Sequence, residues 1–434
     1  MKRLLCSLLL TVLLLTQVCG AWAGEIPSRN PLLRPYDNQA FVETEHEFLN
    51  ILLLGIDYGH EQYWGSGYKT TFEDCHTDAV LVISIDKTEG KISLVSLPRD
   101  TLSYVSGVKG IYKLNAAINC SDSVEQGLKR ICGTASWLLG GVEIHKYCAV
   151  DMNAVIVLGD AIGGIDFEVD TSFTSNDKVR YYKGMQHLDG RGIMDYMRVR
   201  VRAAENANDI GRTGRQRKMM MAIYDKIRKE PALLLKAAGA INSEDIKIFT
   251  NIGMEDLLSI AGIAFACDPD DLGSYVLTGP YRSALKGWNF TFTDQANRIE
   301  VLRTVYGIEA EELPYVSIDY TKWLESSGFT AARRINICND VRTYAEGLDA
   351  IPEKAKAAHE AFEAAFLKAV AAFDQAADTT SRADTTAMND AVKELREATE
   401  AFARVIGYPE KLSWHAGRYW YADEDVNEYL PKWQ

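Results

Sequence analysis

The sequence predicts an α/β fold followed by a helical appendage, and three observations carry that reading. Short apolar runs bounded by Gly and Asp are interleaved with helical stretches from residue 49 onward, the pattern of strands and helices in one α/β domain. Past residue 307 the chain turns alanine-rich and charged, with apolar residues at helical spacing. The 47% hydrophobic and 25% charged residues of this 434-residue chain are ordinary globular usage, which excludes a mainly disordered, collagen-like or multi-span membrane protein.

The first residues set the compartment. Lys2 and Arg3 precede an apolar run over residues 4–18, and Ala21-Trp22-Ala23 supplies small residues at an A-x-A spacing. Residues 1–23 therefore read as an export signal. The run is short of the ~20 apolar residues that comfortably span a bilayer, which favours cleavage after Ala23 and leaves a retained signal anchor open. Residues 24–44 are polar, carry Pro27, Pro31 and Pro35, and suit a tether. Beyond the signal lie Cys75, Cys120, Cys132, Cys148, Cys267 and Cys338. No pair has C-x-x-C spacing, which argues against a zinc site, whereas disulfides and buried thiols are both compatible with export.

The core elements follow in order. Residues 50–57, 79–85 and 91–97 read as three strands, with residues 86–90 as a hairpin-like turn between the last two. Residues 124–139 read as a helix, 147–158 as strand then helix, and 163–169 as a turn entering another strand. If the first three strands are neighbours of alternating direction, Asp57 leaves the first, Asp78 enters the second and Arg99 leaves the third at one shared end of the sheet. Two carboxylates beside an arginine suit a magnesium-bound phosphate, since the metal takes hard oxygen ligands and the guanidinium fork takes phosphate oxygens. Turn caps and surface ion pairs are the plainer alternative.

A second cluster lies further on. If a helix runs from about Arg212 through Met219, Ile223 and Ile227, Arg212 and Gln216 share one face at i, i+4. Arg198, Arg200, Arg212 and Arg215 gather in a chain of formal charge −13, which suits a local anion site; a solvated basic face offset by Glu205 and Asp209 is the alternative. The overall acidity repels polyanions and argues against a nucleic-acid partner. In the appendage, Phe362, Phe366, Val370 and Phe373, then Met388, Val392, Leu395, Phe402 and Val405, predict two antiparallel helices, with Pro352 in a first turn. The tail holds Trp414, Tyr419, Trp420, Tyr421, Tyr429 and Trp433, for packing on those helices or for an aromatic surface.

In sequence order, N-I-L-L-L-G-I-D, T-D-A-V-L-V-I-S-I-D, S-L-P-R-D, K-L-N-A-A, G-G-I-D, G-M-Q-H-L-D-G, Y-M-R-V-R and D-I-G-R-T-G-R-Q resemble the LytR-CpsA-Psr family of cell-wall glycopolymer ligases. The resemblance spans about residues 45–307, leaving 308–434 as the helical-hairpin appendage with its aromatic tail. It implies a three-layer α/β/α domain with a central mixed sheet and an apolar pocket for a polyprenyl phosphate lipid. It also implies magnesium-assisted transfer of a glycopolymer, such as teichoic acid or capsular polysaccharide, from a polyprenyl-pyrophosphate carrier to peptidoglycan. The place of action is then the outer face of the cytoplasmic membrane or the cell wall, with the membrane surface as a neighbour.

Carried over by motif, Asp57 and Asp78 are the metal ligands and form the catalytic set with Arg99 and Asp100. His76, Arg99, Arg198, Arg200, Arg212, Arg215 and Gln216 are the pyrophosphate-binding residues. One departure stands out, because the family usually has arginine where this chain has His76, and imidazole is only partly charged at neutral pH. Two rival functions share these residues: a pyrophosphate hydrolase using water as acceptor, and a non-catalytic wall- or lipid-binding protein, to which His76 and the aromatic tail point.

Overall fold

The computed structural model describes residues 26–36, 41–57, 75–121, 123–199, 209–240, 246–267 and 271–414. Residues 1–25 with the expected export signal, residues 58–74, Arg200 and the aromatic tail beyond Trp414 lie outside the described residues. The described chain forms two compact units, one of residues 41–316 and one of residues 26–36 together with 317–414.

The larger unit is built on six strands: β1 (Phe48–Ile56), β2 (Thr77–Asp86), β3 (Lys91–Ser96), β4 (Lys146–Asp151), β5 (Ile248–Thr250) and β6 (Leu272–Val276), in the spatial order β5-β4-β1-β2-β3-β6. The sheet is mixed: β1 runs antiparallel to β2 and β2 to β3, as expected, while β4 is parallel to β1 and β6 to β3. Side chains alternate across the pleat, so successive residues serve opposite layers. Leu49, Ile51, Ile85 and Ile92 face helix α5 (Met254–Ala266), whose Ile260 and Ile263 close over them with Cys267.

On the other face Phe48 meets Tyr306 of α6 (Gln295–Tyr306) edge-on, ring centroids 5.2 Å apart. Arg298 of α6 is fully buried and donates through Nε to the Leu138 carbonyl at 2.6 Å, which locks α6 to the end of α1 (Val124–Leu138). The three-layer α/β/α arrangement follows. The unit extends past the expected limit at residue 307: Arg298 also donates to the Glu311 carbonyl at 2.7 Å, and Leu313 N donates to Gln295 Oε1 at 2.9 Å. Residues 308–316 thus serve the α/β unit by supplying backbone partners to α6.

Helices α2 (Met152–Ala161) and α3 (Gly190–Arg198) cross on two glycines. A Cβ on Gly190 would stand 2.0 Å from the Ile156 carbonyl oxygen, and one on Gly159 would stand 2.7 Å from the Gly190 Cα. Both contacts involve backbone, which cannot step aside as a flexible side chain does. Gly190→Ala is therefore expected to cost about 1–3 kcal/mol by overpacking and to displace the helix that ends in Arg198. Thermal unfolding of the variant checks this; an unchanged Tm would show that the crossing yields.

In the smaller unit, α8 (Lys356–Thr379) and α9 (Arg382–Ile406) form the expected antiparallel pair. Phe362 stacks on Phe402 at 5.2 Å, and Phe366, Val370, Phe373, Met388, Val392 and Leu395 are buried between them. The pair does not close on itself. A third helix, α7 (Phe329–Glu346), buries Ile335, Cys338 and Val341 in the same core. Pro352 stands just before a single 3₁₀ turn, Glu353–Ala355, that leads into α8.

The expectation of a tether over residues 24–44 is corrected for residues 26–36, which are part of this helical unit. Ile26, Leu32 and Leu33 are buried, Ser28 Oγ donates to Asp374 Oδ1 at 2.6 Å, and Asn30 Nδ2 donates to Tyr320 Oη at 3.0 Å. The prolines limit regular structure there, but three apolar side chains still gain by leaving water. Trp414 lies beneath the Arg396 guanidinium, 5.4 Å from its ring centroid, so the first aromatic of the tail packs on the helices. Among the described residues, none of the six cysteines is joined in a disulfide, and no helix is long and apolar enough to cross a membrane.

Candidate active site

The pairing of β1 with β2 slips at its last step: Gly55 faces Ala79 and Ile56 faces Thr77, so Asp78 is the extra residue of a β-bulge. A bulge re-aims a side chain, and here the re-aimed carboxylate lines a cavity of about 610 Å³. Gly55 makes the close pairing tolerable, since even an added Cβ would lie 3.2 Å from Ala79 Cβ. Asp57 follows β1 directly. Its Oδ1 accepts from the His76 backbone N–H at 2.6 Å, and its Oδ2 lies 3.9 Å from His76 Nδ1. The His76 ring is held from its other side by Asn119, with Nδ2 and Nε2 3.4 Å apart.

Arg99 follows β3 at the same sheet end, where Leu97 N bonds the Val80 carbonyl. It donates to Asp78 Oδ1, and its Nε lies 3.8 Å from Asp100 Oδ2. Burial pushes the Asp78 carboxyl up, but Arg99, then Arg212 and Arg198, more than offset that and hold it below the ordinary carboxylate value. Asp100 is buried and engaged on both oxygens, Oδ1 by Lys113 Nζ at 3.0 Å and Oδ2 by the Tyr281 hydroxyl at 3.5 Å. Its geometry is that of a holder for Arg99.

Helix α3 is started by Asp189, which accepts from Gly192 N at 2.7 Å, and delivers Arg198 in its last turn. Helix α4 (Asp209–Lys229) delivers Arg212 and Gln216 to the same cavity at i, i+4, as expected. Arg212 is 5% exposed and also donates to the Asp78 carbonyl at 3.4 Å. Arg215, one residue from Gln216, turns off that face; it is buried, donates to the Val199 carbonyl at 2.7 Å, and does not line the cavity. The apolar part of the wall comprises Val150, Met152, Val155, Met194, Met197 and Val199, continuous with the apolar cluster of Phe167, Phe173, Tyr196 and Met219, and Asp195 lines the cavity as well.

The structure thus gathers Asp78, Arg198, Arg212 and Gln216 in one cavity, attaches Arg99 to Asp78, sets Asp100 behind Arg99, and places Asp57 beside His76. Lys113 and Tyr281 were not singled out by sequence reading. K-L-N-A-A contains Lys113, yet only the fold shows that it meets Asp100 while lying 5.7 and 5.6 Å from the Trp288 and Phe290 ring centroids. Asp151 also lines the cavity, but its oxygens cap α2 through Ala154 N at 2.6 Å and accept from Lys247 N at 2.8 Å.

Among the described residues no group of three or more His, Cys, Asp or Glu side chains is placed to hold a metal ion by itself. Magnesium seldom asks for such a cage; one or two carboxylates completed by water and substrate phosphate are its usual set. The hard oxygens of Asp57 and Asp78 at one sheet end fit that chemistry.

Comparison with known proteins bears on the family and the fold. Residues 29–303 match the sequence profile of the LytR_cpsA_psr family. The polyisoprenyl-teichoic acid–peptidoglycan teichoic acid transferase TagU of Bacillus mycoides is 30% identical over 200 residues, 45% of this chain and 59% of that protein. The transferase of the same description from Bacillus subtilis, TagV, is 23% identical over 270 residues, 60% of this chain and 64% of that protein. The chain spans about three fifths of the length of these curated relatives. The crystal structure of protein gbs0355 from Streptococcus agalactiae has a TM-score of 0.51 at 20% identity, covering 64% of this chain and 96% of that one, a likeness of fold. Because the profile runs through both polar clusters and more than half of the chain, the chain belongs to the LytR_cpsA_psr, or LytR-CpsA-Psr, family.

Proposed function

We propose that the protein is a phosphotransferase that moves a glycopolymer from a polyprenyl-pyrophosphate carrier onto peptidoglycan. The observation that carries this reading is one cavity in which an anion-binding end adjoins an apolar wall. Met152, Val155, Met194 and Met197 suit an isoprenoid chain, and the methionines adapt to its shape. Arg198, Arg212 and Gln216, with Arg99 at Asp78, suit pyrophosphate oxygens. TagU and TagV, named for teichoic acid transfer between a polyisoprenyl carrier and peptidoglycan, support the substrate class.

In the proposed reaction a hydroxyl of the acceptor glycan attacks the phosphorus bonded to the glycopolymer. The new O–P bond forms as the bond to the bridging oxygen breaks; polyprenyl phosphate leaves with the electron pair and the hydroxyl proton is released. Such transfer is catalysed by positioning and charge neutralisation, so the arginines suffice without a covalent intermediate. Asp57 and Asp78 would hold magnesium, which when bound supplies further positive charge against the pyrophosphate. His76 directly precedes the bulge strand and lies beside Asp57, and the permanent positive charge for the anion comes from Arg99, Arg198 and Arg212. Carrier lipid and wall meet outside the cytoplasmic membrane, which is where the export signal directs the chain.

The test is an incubation of purified protein with a polyprenyl-pyrophosphate-linked glycopolymer, with and without peptidoglycan fragments and magnesium. The expected result is a covalent glycopolymer–peptidoglycan product, with polyprenyl phosphate released only when the acceptor is present. Equal release without acceptor would replace the reading by a hydrolase, and binding without turnover by a carrier protein.

A further inference from the structure

The cavity has a third border that neither the arginines nor the apolar wall explains. It is the two-stranded hairpin of Phe173–Thr174 and Arg180–Tyr181, from which Thr174, Ser175 and Asn176 line the cavity. The tip is held in place. Ser175 N donates to the Val179 carbonyl at 2.8 Å, Lys178 N donates to the Ser175 carbonyl at 3.0 Å, and Val179 N donates to Ser175 Oγ at 3.2 Å. Lys178 accepts a left-handed φ of 65° to close the turn.

The hairpin is clamped to α3 at its turn and at its base. Arg191 pairs with Asp177 of the turn, and its Nε lies 3.5 Å from Asp195 on its own helix. The Tyr181 hydroxyl donates to the other oxygen of Asp195 at 3.1 Å, while Phe173 is buried and stacks on Tyr181 at 4.8 Å. Asp195 precedes Arg198 by one helical turn, so the clamp places the tip close to the phosphate-binding end.

The chemistry of the tip selects among the parts of a lipid-linked substrate. A hydrocarbon would strip water from two hydroxyls and an amide and return nothing for it. A phosphate is drawn to Arg198 and Arg212 rather than to the tip, whose cavity-lining side chains carry no charge and whose neighbours Asp177 and Asp195 are already paired with Arg191. A polyol, neutral and dense in donors and acceptors, matches Thr, Ser and Asn side chains. We propose that residues 174–176 form a saccharide-reading rim, which hydrogen-bonds the sugar attached to the pyrophosphate and sets the preference for one glycopolymer over another. This rests on the reading of the cavity as a polyprenyl-pyrophosphate site.

The experiment measures binding of the full chain to two ligands by titration calorimetry: a short-chain polyprenyl pyrophosphate bearing a disaccharide, and the same lipid without sugar. Wild type is expected to prefer the sugar-bearing lipid. The double variant Thr174→Val with Asn176→Ala is expected to lose that preference by roughly five- to tenfold, the scale of one or two hydrogen bonds. Both side chains are exposed, so the fold is not at stake. Thr174→Ser, which keeps the hydroxyl, is expected to retain the Thr174 share of the preference. An unchanged ratio of the two affinities in the double variant overturns the rim, as does equal weakening toward both lipids. If wild type binds neither lipid, the assignment of the whole cavity fails and the rim with it; if it binds both and only the ratio refuses to move, the rim alone fails.

Discussion

Arg99→Ala is expected to lower the proposed glycopolymer transfer by about 10²-fold or more while leaving the fold intact. The side chain is one fifth exposed and its partners are the carboxylates of Asp78 and Asp100, so its removal takes away charge before apolar packing. What it removes is charge at the point where pyrophosphate gathers, and also the main opponent of burial at Asp78. In the wild type the Asp78 carboxyl is held below its ordinary value, so its ionised form stabilises the site above that value and is lost only as pH falls through the depressed one. Without Arg99 the carboxyl titrates at higher pH, and the acid limb of the activity profile is expected to move up with it. Steady-state kinetics across pH, with thermal unfolding at neutral pH as the control, check both parts. Turnover near the wild-type level would remove Arg99 from the site. Arg198→Ala should give a loss of similar scale with a smaller shift of the acid limb, because Arg198 ranks behind Arg99 and Arg212 in its influence on Asp78.

The second large effect is expected for the pair Asp57→Asn and Asp78→Asn, which should abolish the response of transfer to magnesium. Asparagine keeps the shape and one acceptor oxygen, so Asp57→Asn can still receive the His76 N–H. It supplies no anionic oxygen, however, and a small hard cation that keeps much of its water needs one. Among the described residues no group of three or more His, Cys, Asp or Glu side chains is placed to hold a metal ion, so no alternative cage stands ready to compensate. A magnesium titration of activity in the double variant reads the effect directly. If the dependence persists unchanged, the metal assignment falls, and the two carboxylates are left with the roles their contacts already show: Asp78 orienting Arg99 and Asp57 fixing the backbone at His76.

The helical unit alters how a shortened chain behaves. Ending the protein at residue 307 removes the carbonyl that Arg298 uses at Glu311 and the backbone amide that Gln295 uses at Leu313. Ending it at 316 spares those bonds yet uncovers Ile26, Leu32 and Leu33, which are buried within the helical unit. A clean excision of the α/β unit therefore begins after residue 36 and ends at 316.

Sequence by itself determined the α/β class, the three antiparallel neighbours β1, β2 and β3, the return of Asp57, Asp78 and Arg99 to one sheet end, and the shared face of Arg212 and Gln216. Each of these depends on a local period, two for strands and about 3.6 for helices, or on a short turn, and such patterns are written in consecutive residues. Only the tertiary structure decided that Asp78 is a bulge residue, that Arg215 serves the backbone at Val199, that Asp100 is claimed by Lys113 and Tyr281, and that residues 26–36 belong to a unit completed almost three hundred residues later. A bulge is one residue of register between two strands, and composition does not encode register. Which way an arginine turns, which lysine meets a buried carboxylate, and whether a proline-rich segment finds an apolar groove are set by contacts between distant parts of the chain. Those contacts exist only once burial has brought the parts together, because it is then that an unpaired charge or an exposed leucine acquires its cost.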